Sequence, residues 1–217
     1  MDSIDRLTSL FEKFPGIGPR QARRFVQYLL STSPSTRSEL ADYIKRLGAE
    51  SLQCAHCYRW FTKSVNKQGS TLKSPGVKVE PCCLICANAQ REASIIFVVE
   101  KDADIENVER SGFRGLYFVL GGTIQLATEE PEKFVRLREL LKRVGTDASE
   151  LKLNELILGL SATTEGDHTR EILMEKLRPL SEGLNFRISS LGRGLSTGSE
   201  LEYADPDTIA QALGNRH

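Results

Sequence analysis

Two cysteine pairs, Cys54-Ala-His-Cys57 and Cys83-Leu-Ile-Cys86, offer four thiolates from two Cys-x2-Cys knuckles. Four thiolates match the tetrahedral preference of zinc and fill every coordination position, so the chemistry they predict is a closed, structural site with no catalytic water. The spacing gives Cys54, Cys57, Cys83 and Cys86 as ligands. Cys82 competes for the third place, and keeping the two-residue spacing selects Cys83. His56, inside the first knuckle, reads as a solvent-facing turn residue. Few large apolar groups surround the pairs, so zinc binding, worth on the order of 10 kcal/mol, would supply what burial cannot.

A second group is cationic. Phe14-Pro15-Gly16-Ile17-Gly18-Pro19 is followed at once by Arg20, Arg23 and Arg24. Gly16 and Gly18 let the backbone turn tightly and approach a ligand closely, and Pro19 suits the first position of a new helix. The N–H groups at that helix start, with Arg20 and Arg24 on one face four residues apart, are suited to phosphate oxygens. Contacts of this kind grip the DNA backbone and read no bases, which predicts sequence-tolerant, salt-sensitive binding. Ile17, at the tip, is expected to pack under the turn.

A third group is acidic. Glu100 ends the apolar run Ile95–Val99, and Glu165 and Asp167 lie two apart in a turn of the loop expected over 161–167 after Leu156–Leu160, where both could face one point. Ligand sites of open α/β sheets gather at the carboxyl ends of strands. Three carboxylates there would suit magnesium, which binds through few carboxylates and keeps waters. The alternative is that these acids solvate loops or that Thr164 or Asp167 caps a helix. The sequence shows neither a paired nucleophile and base nor a P-loop lysine, which argues against catalysis.

The elements that must position these groups follow from hydrophobic period. Ile4, Leu7, Leu10, Phe11 and Phe14 predict a helix over 3–13; a second runs from Pro19 to Leu30; Thr36-Arg37-Ser38-Glu39 matches a capping box that opens a third, ending near Gly48. Residues 58–82 read as a loop carrying Arg59, Lys63, Lys67, Lys73 and Lys78, with Tyr58, Trp60 and Phe61 beside them either packing the small module or stacking on bases. From residue 94 onward, strands at 95–99, 116–120, 156–160 and, more weakly, 185–189 alternate with helices at 103–111, 132–144 and 168–178. That order predicts a mostly parallel sheet flanked by helices. After the glycine-rich 192–198, the segment 200–213 is expected to hold a short strand and a helix. The fold class is therefore α/β and multi-module: helices and hairpin over 1–53, cysteine module over 54–90, alternating domain over 91–190, C-terminal segment over 191–217.

Composition narrows the setting. The 217 residues balance 29 Lys and Arg against 29 Asp and Glu. Residues 1–91 hold 14 basic and 7 acidic side chains and residues 92–217 hold 15 and 22, a basic front and an acidic back. The chain has no apolar run of membrane-spanning length and no apolar leader at its start, and its cysteines suit a reducing compartment, so a cytoplasmic protein without membrane attachment is expected.

Hairpin, four-cysteine module and acidic alternating domain, in this order, resemble the RecR family of recombination mediator proteins. The resemblance spans nearly the whole chain and rests on Phe14–Arg24, Cys83-Leu-Ile-Cys86-Ala-Asn, Val98-Val99-Glu100 with Ala103-Asp104-Ile105, Tyr117–Gly122, Thr164-Glu165-Gly166-Asp167, Gly198–Glu202 and Leu213–Arg216. It implies a helix-hairpin-helix DNA-binding region, a zinc finger, a toprim domain and a C-terminal assembly segment. It further implies a non-enzymatic role in recombinational DNA repair in the bacterial cytoplasm, associated with the nucleoid when acting. The partners implied are RecO and often RecF, with which RecA is loaded on single-stranded DNA, and further copies of the chain in dimers or ring tetramers. The family's DNA-contacting positions fall on Arg20 and Arg24, and its toprim acids, linked to partner binding, on Glu100, Glu165 and Asp167. The spacing between the cysteine pairs is longer than the family's usual finger, which makes the 58–82 insert extra. A rival reading takes the same acids with magnesium as a toprim nuclease or primase-like enzyme.

Overall fold

The computed structural model describes residues 2–62, 80–128, 130, 133–150, 152–195, 198 and 200–214, with no side-chain description for residue 150. It divides into two compact units, Met1–Ser51 and Leu52–His217.

The first unit is helical. α1 (Ser3–Phe11) starts at Asp2, whose Oδ1 accepts from the Asp5 N–H at 2.8 Å. α2 (Pro19–Ser31) packs against α1 with Ala22 and Val26 fully buried, and Phe11 meets Phe25 edge-on at 5.6 Å. α3 (Pro34–Glu50) begins two residues before the expected Thr36. Ser33 is the cap, its Oγ accepting from the Thr36 N–H at 3.2 Å, and Pro34 takes the first helical position, where a missing N–H costs nothing.

Two three-residue strands that sequence periodicity cannot register follow, β1 (Ser51–Gln53), which begins on the last residue of the first unit, and β2 (Trp60–Thr62), and then α4 (Leu84–Ala87). Then come β3 (Glu92–Val99), α5 (Asp102–Arg110), β4 (Gly115–Val119), α6 (Leu137–Glu150), β5 (Glu155–Gly159), α7 (Thr164–Leu184) and β6 (Arg187–Ser190). β3 to β6 form one sheet in the order β4-β3-β5-β6, every neighbouring pair parallel. The apolar run in β3 has a direct cause. Ile96 and Val98 face a core with Leu140 and Val144 of α6 and Leu173 and Leu177 of α7, while Phe97 and Val99 face a second core with Ile105 of α5.

Several boundaries differ from expectation. α6 starts at Leu137 because the Arg136 N–H is taken by the Leu120 carbonyl at 2.9 Å. α7 is longer at both ends, capped by Thr163 and closed by Asn185 in the left-handed conformation at φ 54°. The short strand expected within 200–213 is instead a 3-10 turn, Leu201–Tyr203, before α8 (Pro206–Gly214), where Asp205 accepts from the Thr208 N–H at 2.9 Å. Among the described residues no helix is long and apolar enough to cross a membrane. Lys63, Lys67, Lys73, Lys78, Ser199, Asn215 and Arg216 lie outside the described residues.

Candidate nucleic-acid interface and metal centre

The hairpin sets α2 in place. Gly16 has φ +75°, a conformation costly to any residue with a Cβ, and Gly18 is the N-cap of α2 with no side chain to satisfy the first N–H groups. Nothing lies within 4 Å of where a Cβ would stand on either glycine, so both present open backbone. Ile17 is half-buried, its N–H donating to the Phe14 carbonyl at 3.1 Å. Arg20, Arg23 and Arg24 are all exposed, Arg20 and Arg24 on the helix side away from Ala22 and Val26 and Arg23 at its flank, and no carboxylate occurs anywhere in α2. None of the three makes an ion pair among the described residues; Arg24 reaches only Gln21, at 3.4 Å. The structure thus places three cations on one acid-free face directly behind an uncapped helix start.

The four sulfur atoms of Cys54, Cys57, Cys83 and Cys86 lie within 4.8 Å of one another, with Cys57 Sγ and Cys83 Sγ at 3.6 Å. Tetrahedral zinc with bonds of about 2.3 Å requires sulfur–sulfur separations of about 3.8 Å, so the cluster fits the ion. Hydrogen bonds from Cys57, Cys83 and Cys86 pull Cys54 far below the ordinary thiol range, and hydrogen bonds with Cys54 push Cys57 and Cys86 up. Four thiolates at this spacing need a cation to neutralise them. Cys54 also accepts from the Cys83 N–H at 3.4 Å. Cys82 is not in the group: its sulfur is directed to the Cys83 carbonyl at 3.7 Å, and burial pushes its thiol up to about 11. His56 is exposed.

The cluster is joined to the sheet. The Val119 N–H at the end of β4 donates to the Cys57 carbonyl at 2.8 Å, and the Trp60 N–H to Asp102 Oδ1 at 2.8 Å. Tyr58, at φ 63°, tilts its ring over Phe118 at 5.3 Å and receives the Arg136 guanidinium at 5.5 Å. Phe61 packs on the cysteines. Of the three aromatics in this module only Trp60 is exposed, at 56%. Two therefore serve packing, one of the two readings the sequence left open.

The acids are arranged differently from a carboxylate cluster. Glu100 is buried, and its Oε1 accepts from both the N–H and the hydroxyl of Ser161, at 2.6 Å each. Glu165 and Asp167 lie in the first turn of α7 rather than in a loop. Residues two apart on a helix do not share a face, so the two side chains diverge. Glu165 is exposed. Asp167 is gripped by Arg193, which donates through both Nη atoms, and by Arg170 at 2.8 Å; the Arg193 guanidinium, with Arg170 behind it, holds this carboxyl below the usual range. Among the described residues, only the four cysteines bring three or more such ligand atoms within 4.8 Å. Sequence reasoning quotes Gly166 only as part of a motif, without a role of its own, and does not single out Arg193. A Cβ on Gly166 would stand 2.1 Å from the Ser161 carbonyl oxygen, so the glycine lets α7 start against the strand loop that holds Glu100. Arg193, inside a glycine-rich run, gives no sequence signal for a partner 26 residues away.

Comparison with known proteins covers the whole of this arrangement. The Toprim domain family matches residues 94–189, and the family described as RecR, C-terminal, matches residues 194–217. Recombination protein RecR of Herpetosiphon aurantiacus is 34% identical over 216 residues, covering 99% of this chain and 94% of that protein. Recombination protein RecR of Bifidobacterium longum subsp. infantis is 34% identical over 215 residues, covering 99% and 95%. That of Rickettsia prowazekii is 33% identical over 216 residues, covering 99% and 96%.

Proposed function

The chain belongs to the RecR family of recombination proteins, and on that premise we propose that it is a DNA-binding mediator of recombinational repair. Family membership supports the role in recombination; the finer assignments are ours. The protein binds DNA independently of sequence through Gly16, Gly18, Arg20, Arg23 and Arg24. It acts with RecO-type and RecF-type partners to load RecA on single-stranded DNA. Cys54, Cys57, Cys83 and Cys86 hold one structural zinc per chain. The surface around Glu100, Glu165 and Asp167 meets a partner protein, and the segment from 191 onward assembles copies of the chain into dimers or ring tetramers. The working divisions are 1–53, 54–90, 91–190 and 191–217, and the working compartment is the bacterial cytoplasm.

The observation that carries the DNA assignment is the cationic face of α2. Three exposed arginines without a carboxylate on the helix, beside an uncapped helix start and a left-handed glycine, form a surface complementary to phosphates. The acids favour a protein surface over magnesium chemistry for a matching reason: Glu100 is spent on Ser161 and Asp167 on two arginines, so a cation would have to displace both. The test is loading of RecA on single-stranded DNA coated by single-strand binding protein, with a RecO-type partner present. Loading that requires this chain and fails with Arg20→Ala/Arg24→Ala supports the reading. Loading indifferent to the chain overturns it, and magnesium-dependent strand cleavage abolished by Glu100→Gln would replace it with the enzymatic one.

A further inference from the structure

α2 carries, besides its arginines, one large aromatic side chain in the open. Tyr28 is 66% exposed, its ring meets no other ring or cation, and its hydroxyl has no hydrogen-bond partner among the described residues. The other exposed aromatics of the first unit differ: Tyr43 is covered by the Arg46 guanidinium at 5.7 Å, and Phe14 packs edge-on against Phe11 at 5.6 Å. Tyr28 is also placed where its neighbours matter. Arg20, Arg24 and Tyr28 follow at intervals of four, so they form one gently drifting row along the helix, about 6 Å per step. The buried side, Ala22 and Val26, is opposite. A row of two cations and then a bare ring on an acid-free helix carries both parts of a single-strand site: charges that track a phosphate chain, and a flat face on which an unpaired base stacks. A duplex offers the charges the same phosphates but keeps its bases inside the stack, out of the ring's reach.

Resting on the DNA-binding reading above and adding to it, we propose that Tyr28 is a base-stacking platform that makes the α2 surface prefer single-stranded over double-stranded DNA. The occupant of the face is a DNA strand with unpaired bases, chosen by the charge complementarity of the row. Because the stack needs a ring and not a hydroxyl, Tyr28→Phe retains the preference and Tyr28→Ala loses it.

The experiment measures binding of the full chain to a labelled oligo-dT and to a labelled duplex of equal length, with Arg20→Ala/Arg24→Ala in parallel. Tyr28→Ala is expected to weaken oligo-dT binding by about 5- to 140-fold, the range for one stacked base, and duplex binding by less than about 2-fold. Tyr28→Phe is expected to match the unmodified chain on both. Equal losses on both DNA forms, a loss with Tyr28→Phe as large as with Tyr28→Ala, or no loss at all overturns the proposal. So does a change of molecular mass on light scattering for Tyr28→Ala, which would assign the ring to a second copy of the chain. If the double arginine variant loses binding while Tyr28→Ala does not, only the stacking platform falls. If the arginine variant binds normally, the hairpin reading falls with it.

Discussion

Removing two of the three cations from α2 should change the salt dependence of DNA binding by a calculable amount. In Arg20→Ala/Arg24→Ala the exposed side chains go and the buried face of Ala22 and Val26 is untouched, so the fold should survive. Each cation that neutralises a phosphate contributes about 0.7 to the slope of log affinity against log salt on a single strand. Three arginines account for about 2.1 of that slope, and one for about 0.7. Raising salt fourfold, from about 50 to about 200 mM, therefore costs the arginine face about 18-fold in affinity in the unmodified chain and about 2.5-fold in the variant. At a fixed low salt, two exposed ion pairs contribute about 1–2 kcal/mol together, a loss of about 5- to 30-fold. Fluorescence anisotropy of a labelled oligonucleotide across that salt range reads both quantities. Arg20→Lys/Arg24→Lys is the control, because counterion release counts charge and should keep the slope. An unchanged slope in the alanine variant, with a normal thermal melt, would refute the reasoning: the arginines would not be touching phosphate.

Metal analysis should give about one zinc per chain, lost in Cys83→Ser and retained in Cys82→Ser, because only Cys83 stands in the four-sulfur group. Gly166→Ala should destabilise the second unit by about 2–3 kcal/mol, since the added methyl meets the Ser161 backbone, which cannot swing away; a melt within a degree of the unmodified chain would contradict this. Arg91, 6% exposed, donates two bonds to Glu109, and Tyr117 adds a third; Glu109→Ala leaves that guanidinium buried without its carboxylate and should cost about 3 kcal/mol in a denaturant titration. Arg91 also holds the Glu109 carboxyl below its usual range, so its stabilisation is present above the unfolded pKa of about 4.3 and is lost as pH falls through the lower folded value. Acid unfolding of Glu109→Gln should accordingly lack that part of the pH dependence.

Local signals predicted the parts of the fold that local physics decides. The run Ile95–Val99 is apolar at every position because β3 lies inside the sheet with a core on each side, and its reading as a buried strand followed from that alone. Glu92, at the other end of the same strand, was missed: it is polar and exposed, and a register irregularity separates it from Ile96. The cysteine spacing was enough to choose Cys83 over Cys82 as the expected ligand, and the structure puts Cys83 in the group. The carboxylates were harder. Their reading as a convergent trio assumed a loop at 161–167, whereas Thr163 caps a helix there and turns Glu165 away from Asp167. The partners that then define them, Ser161 for Glu100 and Arg193 for Asp167, are 61 and 26 residues distant, and no periodicity encodes a contact of that range.

The cysteine module reads in sequence as a separate finger, yet its bonds make it a wall of the sheet. β4 ends the sheet order on one side, and an edge strand has backbone groups to satisfy. The Val119 N–H finds the Cys57 carbonyl, Asp102 at the start of α5 takes the Trp60 N–H, and Tyr58 is held between Phe118 and Arg136. Each of these ties a residue within three positions of Cys57 to the strand end or helix start that flanks Glu100. A loosened cysteine cluster would release the Cys57 carbonyl, and with it the partner of Val119 on β4, with β3 lying between that strand and the loop after β5 that Glu100 holds through Ser161. The module's separateness in sequence and its attachment in space are compatible because backbone bonds and one buried ring, none with a sequence signature, make the join. A metal ion held by the four cysteines would therefore brace the end of β4 as well as the cysteine module itself.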